Sequence, residues 1–244
     1  MKTLLGPTLL ILLSACSHTI NFRASHFAAP VVSEKQWGGH VALVGTAVTK
    51  VTVVNDITSN PPSRNTLTIN EDVDAADLLL VRNIGLDASL SLYRGLDLYL
   101  DNSLLGVRFQ FLNHGAGPNN WVASLLGSYG ERETSTTQDP GGTAKSKVIS
   151  SQAGISLGYT LEYIVPYFSY IHEAHEVTTD VTNNSGNFGP YKDKGTHQYY
   201  SIGIASHGKG LVYGVEYSRL NISWDRSSKA EPQDALGMKL GFAW

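Results

Sequence analysis

The run His172-Glu173-Ala174-His175-Glu176 combines imidazole and carboxylate groups, the side chains that most often bind zinc or move protons. A zinc-binding helix of the HExxH type needs its two histidines four positions apart, whereas His172 and His175 are three apart. On a β-strand this spacing places the two rings on opposite faces, and Glu173 shares a face with His175. The run therefore predicts a polar strand end and no metal, cofactor or catalytic site.

Four charged residues stand among small side chains in segments that alternate like strands. Asp97, Arg108, Glu216 and Lys239 each lie on a face that is otherwise rich in Gly, Ser and Thr. Glu216 and Lys239 fall on adjacent predicted strands, and Asp97 and Arg108 are placed in the same way. Because an isolated buried charge is costly, the pattern predicts pairing inside a narrow lumen filled by side chains. A gated or selective pore is the alternative.

The first residues carry a different chemistry. Met1-Lys2-Thr3 is a basic start, residues 4–13 are almost wholly apolar, and Ser14-Ala15-Cys16 follows. The apolar run is about half of what a spanning helix needs, so it predicts a removable secretory signal. Cys16 is the only cysteine and has no partner for an intramolecular disulfide.

The quartet Leu13-Ser14-Ala15-Cys16 resembles the bacterial lipobox. The resemblance implies that the lipoprotein processing machinery attaches lipid to Cys16 and removes residues 1–15, leaving residues 16–37 as a lipidated tether. Several acyl chains hold a protein firmly to a bilayer. By resemblance to sorting in enteric bacteria, Ser17 in place of Asp permits delivery to the outer membrane. An ordinary secretory peptide with a chance cysteine is the alternative.

Composition narrows the class of the mature chain. The 244 residues carry 18 Lys and Arg against 21 Asp and Glu, which gives no basic footprint for nucleic acid. The chain is rich in Gly (24) and Tyr (12), and no run after residue 15 is apolar enough for a spanning helix. A soluble all-β domain and a transmembrane β-barrel both fit this composition.

Period-two alternation is clearest at the end of the chain. Leu236, Met238, Leu240, Phe242 and Trp244 share one face, while small residues and Lys239 fill the other. The small-residue faces carry too few charges for a water-facing surface, which favours a polar lumen and an apolar outside.

The same alternation predicts ten strands, with eight to twelve possible. They are 39–54, 66–86, 88–94, 96–112 (as one piece or two), 120–132, 146–160, 162–178, 196–206, 210–224 and 235–244.

The connections between these strands differ in length. Long polar loops are predicted near 55–65, 133–145, 179–195 and 225–234, and shorter ones near 86–88, 113–119, 160–162 and 207–210. Short periplasmic turns and long external loops are typical of outer-membrane barrels. An even strand number returns both barrel ends to the periplasmic side, which agrees with a lipidated amino end in the inner leaflet. An interfacial aromatic girdle is predicted from Tyr163, Tyr167, Tyr213, Tyr217, Trp224 and Trp244.

The closing strand, with Leu240, Phe242 and Trp244, is similar to the terminal insertion signal that the barrel-assembly machinery reads. The stretch Gly95-Leu96-Asp97-Leu98-Tyr99-Leu100, followed by Gly106-Val107-Arg108-Phe109-Gln110, resembles hairpins of small outer-membrane barrels of eight to ten strands. The resemblance implies an all-β, antiparallel, up-and-down transmembrane barrel over residues 38–244. It also implies location in the bacterial outer membrane and contact with the lipids of that membrane.

The sequence predicts a non-enzymatic surface or structural protein with external loops. A soluble lipocalin-like lipoprotein that carries an apolar ligand in the periplasm is one alternative. It would need an apolar inner face and a Gly-x-Trp motif, whereas Trp37-Gly38-Gly39 has the order reversed. A rim hydrolase acting on lipid A or protein is the other alternative, with His172, His175 and His197 as the residues to test.

Overall fold

The computed structural model describes residues 17–64, 67–72, 84–115, 117–138, 141–227 and 231–244. The predicted signal peptide and Cys16 lie outside the described residues. The described residues form thirteen strands, β1 (His18–Arg23), β2 (Gly39–Thr46), β3 (Val48–Val54), β4 (Thr68–Asp72), β5 (Ile84–Tyr93), β6 (Leu96–Asp101), β7 (Leu104–Leu112), β8 (Asn120–Gln138), β9 (Gly142–Thr160), β10 (Ile164–Asn183), β11 (Gly186–Ser206), β12 (Gly210–Trp224) and β13 (Glu231–Ala243). Among the described residues, no helix is long and apolar enough to cross a membrane.

Ten of the strands form a closed antiparallel barrel. Each strand from β5 to β13 pairs with its neighbour in the chain, β2 pairs with β5, and β13 pairs with β2 to close the ring. Strands β3 and β4 are inserted between β2 and β5 and lie with β1 in a separate three-stranded sheet, in which β3 pairs with both β1 and β4. The predicted fold, an all-β antiparallel up-and-down barrel of ten strands, is confirmed.

Two predicted strand assignments were wrong. The single strand at 39–54 is two strands, because β2 lies in the barrel wall and β3 leaves it. Val51, Val53 and Val54 of β3 are fully buried, and burial on both faces is typical of an interior strand. The turn near 86–88 does not exist, since β5 alternates without a break. The range 66–86 falls partly on residues 73–83, which lie outside the described residues.

The long loops predicted at 133–145 and 179–195 are mostly strand. Strands β8 and β9 pair as far as Gln138 and Gly142, and β10 and β11 pair as far as Asn183 and Gly186. The apolar alternation stops before these tips, but Thr, Ser, Lys and Glu continue the backbone ladder. The change from apolar to polar side chains therefore marks the end of the apolar surface, and it does not mark the end of the strands.

The barrel has two unlike ends. One end, which we call the short-turn end, carries the connections 94–95, 113–119, 161–163 and 207–209. Gly39 and Trp244, which hydrogen bond to each other, lie there too. At the opposite end the four strands β8 to β11, of 19 to 21 residues each, run well past their neighbours. We call the described residues within 131–151 and 172–198 the crown.

Large apolar side chains cover the outside of the barrel from the short-turn end to the base of the crown. Four outward tyrosines mark the upper boundary of this apolar belt, Tyr129, Tyr170, Tyr200 and Tyr217. The next outward residues on the same strands are polar, Glu131, His172, Gln198 and Arg219. Of the predicted girdle, Tyr163, Tyr213, Tyr217 and Trp244 are outside, whereas Tyr167 and Trp224 are buried in the lumen. The period-two phase of β10 and β12 places these two aromatic side chains inside.

Residues 17–38, which we call the luminal segment, run through the barrel. His18 hydrogen bonds Thr136 and Ser146 in the crown, and the backbone N–H of Val32 donates to Gln110 near the short-turn end. The described residues 17–37 of the predicted tether therefore lie inside the barrel. Their apolar side chains fill space that the small inward residues of the wall leave open.

A glycine in the barrel wall makes room for a side chain of the luminal segment. A Cβ atom at Gly237 would lie 2.8 Å from the Phe27 ring and 2.8 Å from Ser25 Oγ. Phe27 is 2% exposed. Gly237 therefore provides the space that Phe27 occupies at the pairing of β13 with β2.

We expect Gly237→Ala to destabilise the barrel by about 1–3 kcal/mol, the usual range for overpacking a filled interior. Gly45→Ala is the matched control, since Gly45 lies across from Met238 on the neighbouring strand and a Cβ there meets nothing within 4 Å. Urea unfolding in detergent micelles, followed by tryptophan fluorescence, measures both. Equal stabilities for the two variants would show that Phe27 does not pack against Gly237.

Candidate functional site: a polar network in the barrel lumen

All four predicted lumen charges point into the barrel. Asp97, Arg108, Glu216 and Lys239 are between 1% and 8% exposed. Asp97 and Arg108 are paired across β6 and β7, with 3.3 Å between Asp97 Oδ2 and Arg108 Nη2. Glu216 and Lys239 do not bond each other, because Glu216 lies across from Gly237 and Lys239 lies across from Gly214.

Lys239 belongs to a cluster near the short-turn end. Its ammonium donates to Asp87 Oδ1 at 2.8 Å and lies 3.2 Å from His40 Nε2. His40 also bonds Asp87, and its other ring nitrogen lies 2.8 Å from Ser89 Oγ. The cluster joins β2, β5 and β13, so these polar contacts lie at the seam where the barrel closes.

Glu216 binds the luminal segment. Its Oε1 accepts hydrogen bonds from Ser25 Oγ at 2.6 Å and from the backbone N–H groups of His26 and Phe27 at 3.1 and 3.2 Å. Its Oε2 accepts from the Tyr167 hydroxyl at 2.6 Å. A buried carboxylate that receives several donors replaces the hydration it has lost. Glu216 therefore fixes the position of the luminal segment halfway through the barrel.

A second set of ion pairs holds the same segment from the other side. Arg23 Nη1 pairs with Asp101, and His26 Nδ1 lies 2.6 Å from the other oxygen of that carboxylate. His26 Nε2 lies 3.3 Å from Glu173 Oε2. Cations of the luminal segment thus meet anions of β6 and β10, and the charges are complementary across the contact.

Glu173, His175 and His197 bring one carboxylate and two imidazoles together where the luminal segment meets the crown. His175 Nε2 lies 3.3 Å from His197 Nδ1 and 3.8 Å from Glu173 Oε2. Ligand atoms about 2.0–2.1 Å from a tetrahedral zinc are roughly 3.3 Å apart. The spacing alone is therefore compatible with a metal centre. Which ring nitrogens of His175 and His197 carry a proton determines whether a metal could bind there.

The indole of Trp224 decides against a metal at this cluster. Trp224 Nε1 lies 3.2 Å from His197 Nε2, and an indole N–H can only donate. His197 Nε2 must therefore accept, which places the ring proton on Nδ1, facing His175 Nε2. His175 in turn donates from Nδ1 to Ser150 Oγ at 2.8 Å. A metal on His197 Nδ1 would place a proton on Nε2 against the indole donor, so the cluster is a hydrogen-bonded chain.

The rings in this chain also pack on the luminal segment. The Phe22 ring lies 4.4 Å from His175, 5.1 Å from His197 and 5.5 Å from Trp224, between ring centroids. The Tyr199 hydroxyl lies 3.0 Å from the backbone oxygen of Arg23 on β1 and 3.0 Å from Glu173 Oε2, and both oxygens can accept from it. Aromatic packing and hydrogen bonding thus stabilise the same contact between β1 and the wall.

The crown is closed from above by residues of the β3–β4 connection. Arg64 Nη2 and Arg226 Nε bond the Asp193 carboxylate at 2.7 and 2.5 Å. Arg226 Nη2 also donates to the backbone oxygen of Val53 at 2.8 Å. Asn183 Nδ2 donates to the backbone oxygens of Ile57 and Ser59. These bonds attach residues 53–64 to β10, β11 and the turn after β12.

His18 anchors the start of the luminal segment in the crown. Its Nδ1 lies 2.8 Å from Thr136 Oγ1 and its Nε2 lies 2.9 Å from Ser146 Oγ. Burial without a carboxylate partner disfavours the charged ring and lowers the pKa of His18 to about 4. The folded protein therefore holds His18 neutral at physiological pH.

Comparisons with known proteins add little to this geometry. No protein-family model matches the chain, and no curated protein matches it. The chain is similar to two solved structures of Ail, the attachment invasion locus protein of Yersinia pestis. One has 12% identity and a TM-score of 0.36; the other, in complex with the heparin analogue sucrose octasulfate, has 14% identity and a TM-score of 0.37. Each match covers 86% of this chain and 100% of Ail, and at these TM-scores it carries no argument about function.

Several residues of the network were missed by the sequence analysis. Asp87 lies on the inward face that the alternation of β5 identifies, so a systematic reading of that face would have found it. Glu173 was assigned to a polar strand end, whereas it lies on the inward face of β10. His172 and His175 lie on opposite faces of β10, as the spacing predicted. No local signal marked His26, because its role depends on the path of the luminal segment.

We expect His197→Ala to destabilise the protein by about 1–3 kcal/mol, because the buried indole N–H of Trp224 and His175 Nε2 both lose their partner. His172→Ala on the outward face of β10 is the control and should have little effect. Urea unfolding in micelles measures the difference, and a chelator should leave the wild-type midpoint unchanged. A chelator that lowers this midpoint would show that the cluster holds a metal after all.

A pH effect follows from the lowered pKa of His18. In the folded chain the imidazole of His18 is protonated only below about pH 4. In the unfolded chain the same imidazole is protonated below about pH 6.5. Stability from this group is therefore complete above pH 6.5 and is lost as the pH falls, by about 1.4 kcal/mol per pH unit.

The comparison of wild type with His18→Gln isolates this effect, because Gln does not titrate. We expect the free energy of unfolding of wild type, relative to the variant, to fall between pH 6.5 and pH 4. A constant difference over that range would mean that the ring of His18 is not buried as described.

Proposed function

We propose that the chain is a bacterial outer-membrane lipoprotein, lipidated at Cys16, whose β-barrel spans the membrane and presents the crown outside the cell as a non-enzymatic surface or structural protein. The observation that carries the proposal is the apolar belt around a closed barrel with a polar interior. Outer-membrane lipids are its surroundings, and the lipoprotein processing and barrel-assembly machinery are its partners in biogenesis.

The belt has the composition and height of a lipid-facing surface. Outward side chains such as Val107, Leu125, Ile202 and Leu240 are 49–60% exposed. Soluble monomers rarely expose contiguous apolar patches above a few hundred Å², and here the apolar surface surrounds the barrel. From Trp121 to Tyr129 the belt rises about 27 Å along β8 at ~3.4 Å per residue, or about 20 Å at a tilt of ~40°. Bacterial barrels carry an apolar band about 25 Å tall.

The interior argues against the lipocalin-like alternative. A carrier of apolar ligands needs an apolar, hollow inner face. Here the inner face carries charged residues such as Asp97 and Glu216. The luminal segment and β3 occupy the middle and the crown end of the lumen, which leaves a cavity of about 350 Å³ at the short-turn end. The same filling favours a plugged barrel over a gated pore.

The positions of the histidines argue against the rim hydrolase. His175 and His197 are 1% and 0% exposed, beneath Phe22, and His172 is on the outer wall. A hydrolase needs its nucleophile and base to meet substrate in one accessible place. The three histidines therefore do not meet in one active site, and we propose a protein without enzymatic activity.

The outer face of the crown suits a water-exposed surface. Lys147 pairs with Glu131 and Lys194 with Glu176, each at 2.7 Å and with both partners well exposed. Such pairs contribute little stability, but they make the strand extensions soluble. The polar ladders therefore fit a rigid projection into the medium beyond the membrane.

The assembly signal remains a prediction that the geometry supports. Leu240, Phe242 and Trp244 are 60%, 61% and 43% exposed on the outer face of β13. They lie at the short-turn end, where the chain also begins β2. These side chains are available to an assembly factor before the seam closes.

Cell fractionation of Cys16→Ala tests the proposal. We expect the variant to stay in the outer-membrane fraction after alkaline extraction and to migrate differently on SDS gels before and after boiling, because the belt itself holds it in the bilayer. A soluble periplasmic variant would show that lipid was the only anchor and would overturn the barrel as the membrane-spanning part.

Two arginine substitutions on the outer face of β12 serve as matched controls. Val215→Arg places a charge in the belt and should cost about 2–4 kcal/mol near the bilayer midplane. Ser223→Arg, on the same face but level with the crown, should cost little. Equal tolerance of both substitutions in lipid vesicles would mean that the belt faces water.

A further inference from the structure

The luminal segment has a direction. His18 lies in the crown beside Thr136 and Ser146, Ser25 meets Glu216 in the middle of the barrel, and Trp37 lies at the short-turn end, where its backbone oxygen accepts from Trp244 Nε1. The chain therefore enters the barrel through the crown, passes through the lumen, and turns back at the short-turn end to begin β2.

The two ends differ in their relation to the belt. At the short-turn end, outward aromatic residues such as Trp121 and Tyr163 lie next to the turns, so the barrel ends where the belt ends. At the other end the crown extends beyond the belt by several residues on each of four strands. Barrels of the outer membrane have short turns in the periplasm and extended structure outside, so the crown faces out.

The start of the luminal segment lies far above the belt. Thr136, which bonds His18, is seven residues beyond Tyr129 on β8. That is about 24 Å along the strand at ~3.4 Å per residue, and about 18 Å along the barrel axis at a tilt of ~40°. The belt adds about 20 Å below it. Ser17 is thus roughly 38 Å from the periplasmic boundary of the belt.

We infer that the luminal segment begins outside the outer membrane, with Ser17 about 18 Å beyond the belt, and that the chain returns to the periplasmic side through its own barrel. Cys16 directly precedes Ser17, and consecutive Cα atoms are only 3.8 Å apart. One residue cannot bridge the distance to the inner leaflet. The inference rests on the proposed function for the membrane, and it replaces the inner-leaflet position of the amino end predicted from sequence.

The contacts show that this path is built into the fold. Glu216 binds the backbone of His26 and Phe27, and Asp101 binds Arg23 and His26. These contacts use charges of the wall that face the lumen at fixed heights. A segment entering from the short-turn end would run in the opposite direction and could not place His18 in the crown.

Epitope accessibility on intact cells tests the inference. One tag is inserted between Ser17 and His18, a second between Asn184 and Ser185 in the crown turn, and a third between Gly208 and Lys209 at the short-turn end. We expect the first two to bind antibody on intact cells and the third only after permeabilisation. The inference would be overturned if the first tag bound antibody only after permeabilisation while the crown tag bound it on intact cells. The orientation of the barrel would then still hold.

Thiol labelling gives an independent reading if the first tag disturbs folding. In Thr19→Cys, lipidation consumes the Cys16 thiol, so a membrane-impermeant maleimide reports residue 19 alone, and Lys209→Cys is the control at the other end. We expect the reagent to label the Thr19→Cys variant and not the Lys209→Cys variant on intact cells. The reverse pattern would overturn the inference.

Palmitate incorporation separates the two proposals. If wild type incorporates label and Cys16→Ala does not, lipidation stands, and the tags report the side of the membrane on which the amino end lies. If wild type takes up no label, the lipoprotein part of the proposed function fails. In that case an outer tag after Ser17 still shows that the chain is threaded through the barrel, although no lipid lies outside.

Discussion

A closed barrel of ten strands encloses a space that its own small inward residues do not fill, and the carboxylate of Glu216 shows how the protein deals with this. It is buried, and its hydrogen bonds come mostly from Ser25, His26 and Phe27, residues outside the wall. Without them the carboxylate would lose most of its donors, and leaving a buried charge poorly satisfied costs several kcal/mol. Wall and luminal segment are therefore one folding unit, and neither has a complete interior alone.

The protein is inverted relative to a soluble barrel. Its largest apolar side chains are outside, and much of what lies inside is polar and paired. The apolar interior that exists is concentrated near the crown, where Phe22 packs with Trp224 and the two buried histidines. Below it, the order is set by charge: Arg23 and His26 against Asp101, and Arg108 against Asp97. Directional bonds of this kind fix a register, which apolar packing alone would leave loosely defined.

Sequence periodicity predicted the features that are set within a single strand, such as the face on which each residue lies. Alternation identified the barrel, the outward face of β13, and the inward position of Asp97, Arg108, Glu216 and Lys239. It failed where the answer depends on more than one strand. Lys239 pairs with Asp87 because of the register across the seam. Trp224 meets His197 because of the register between β11 and β12, and no spacing along β12 reveals this partner. The luminal segment carries mixed polarity because it lies in a polar lumen, and mixed polarity also describes a tether. The crown was missed because Thr and Lys ladders pair through the backbone, and hydropathy does not report backbone pairing.

The seam between β13 and β2 is also where Phe27 lies, over Gly237. A strand that passes through a ring cannot be inserted sideways once the ring is complete. The ring must therefore be completed around the strand, or the strand must be drawn through by one end. A bulky group on that end would block the second route. For this chain, the order of assembly is thus a matter of topology as well as of energy. By the first route the last pair of strands joins only when residues 17–38 already lie within the ring, and by the second route the amino end passes through the finished ring.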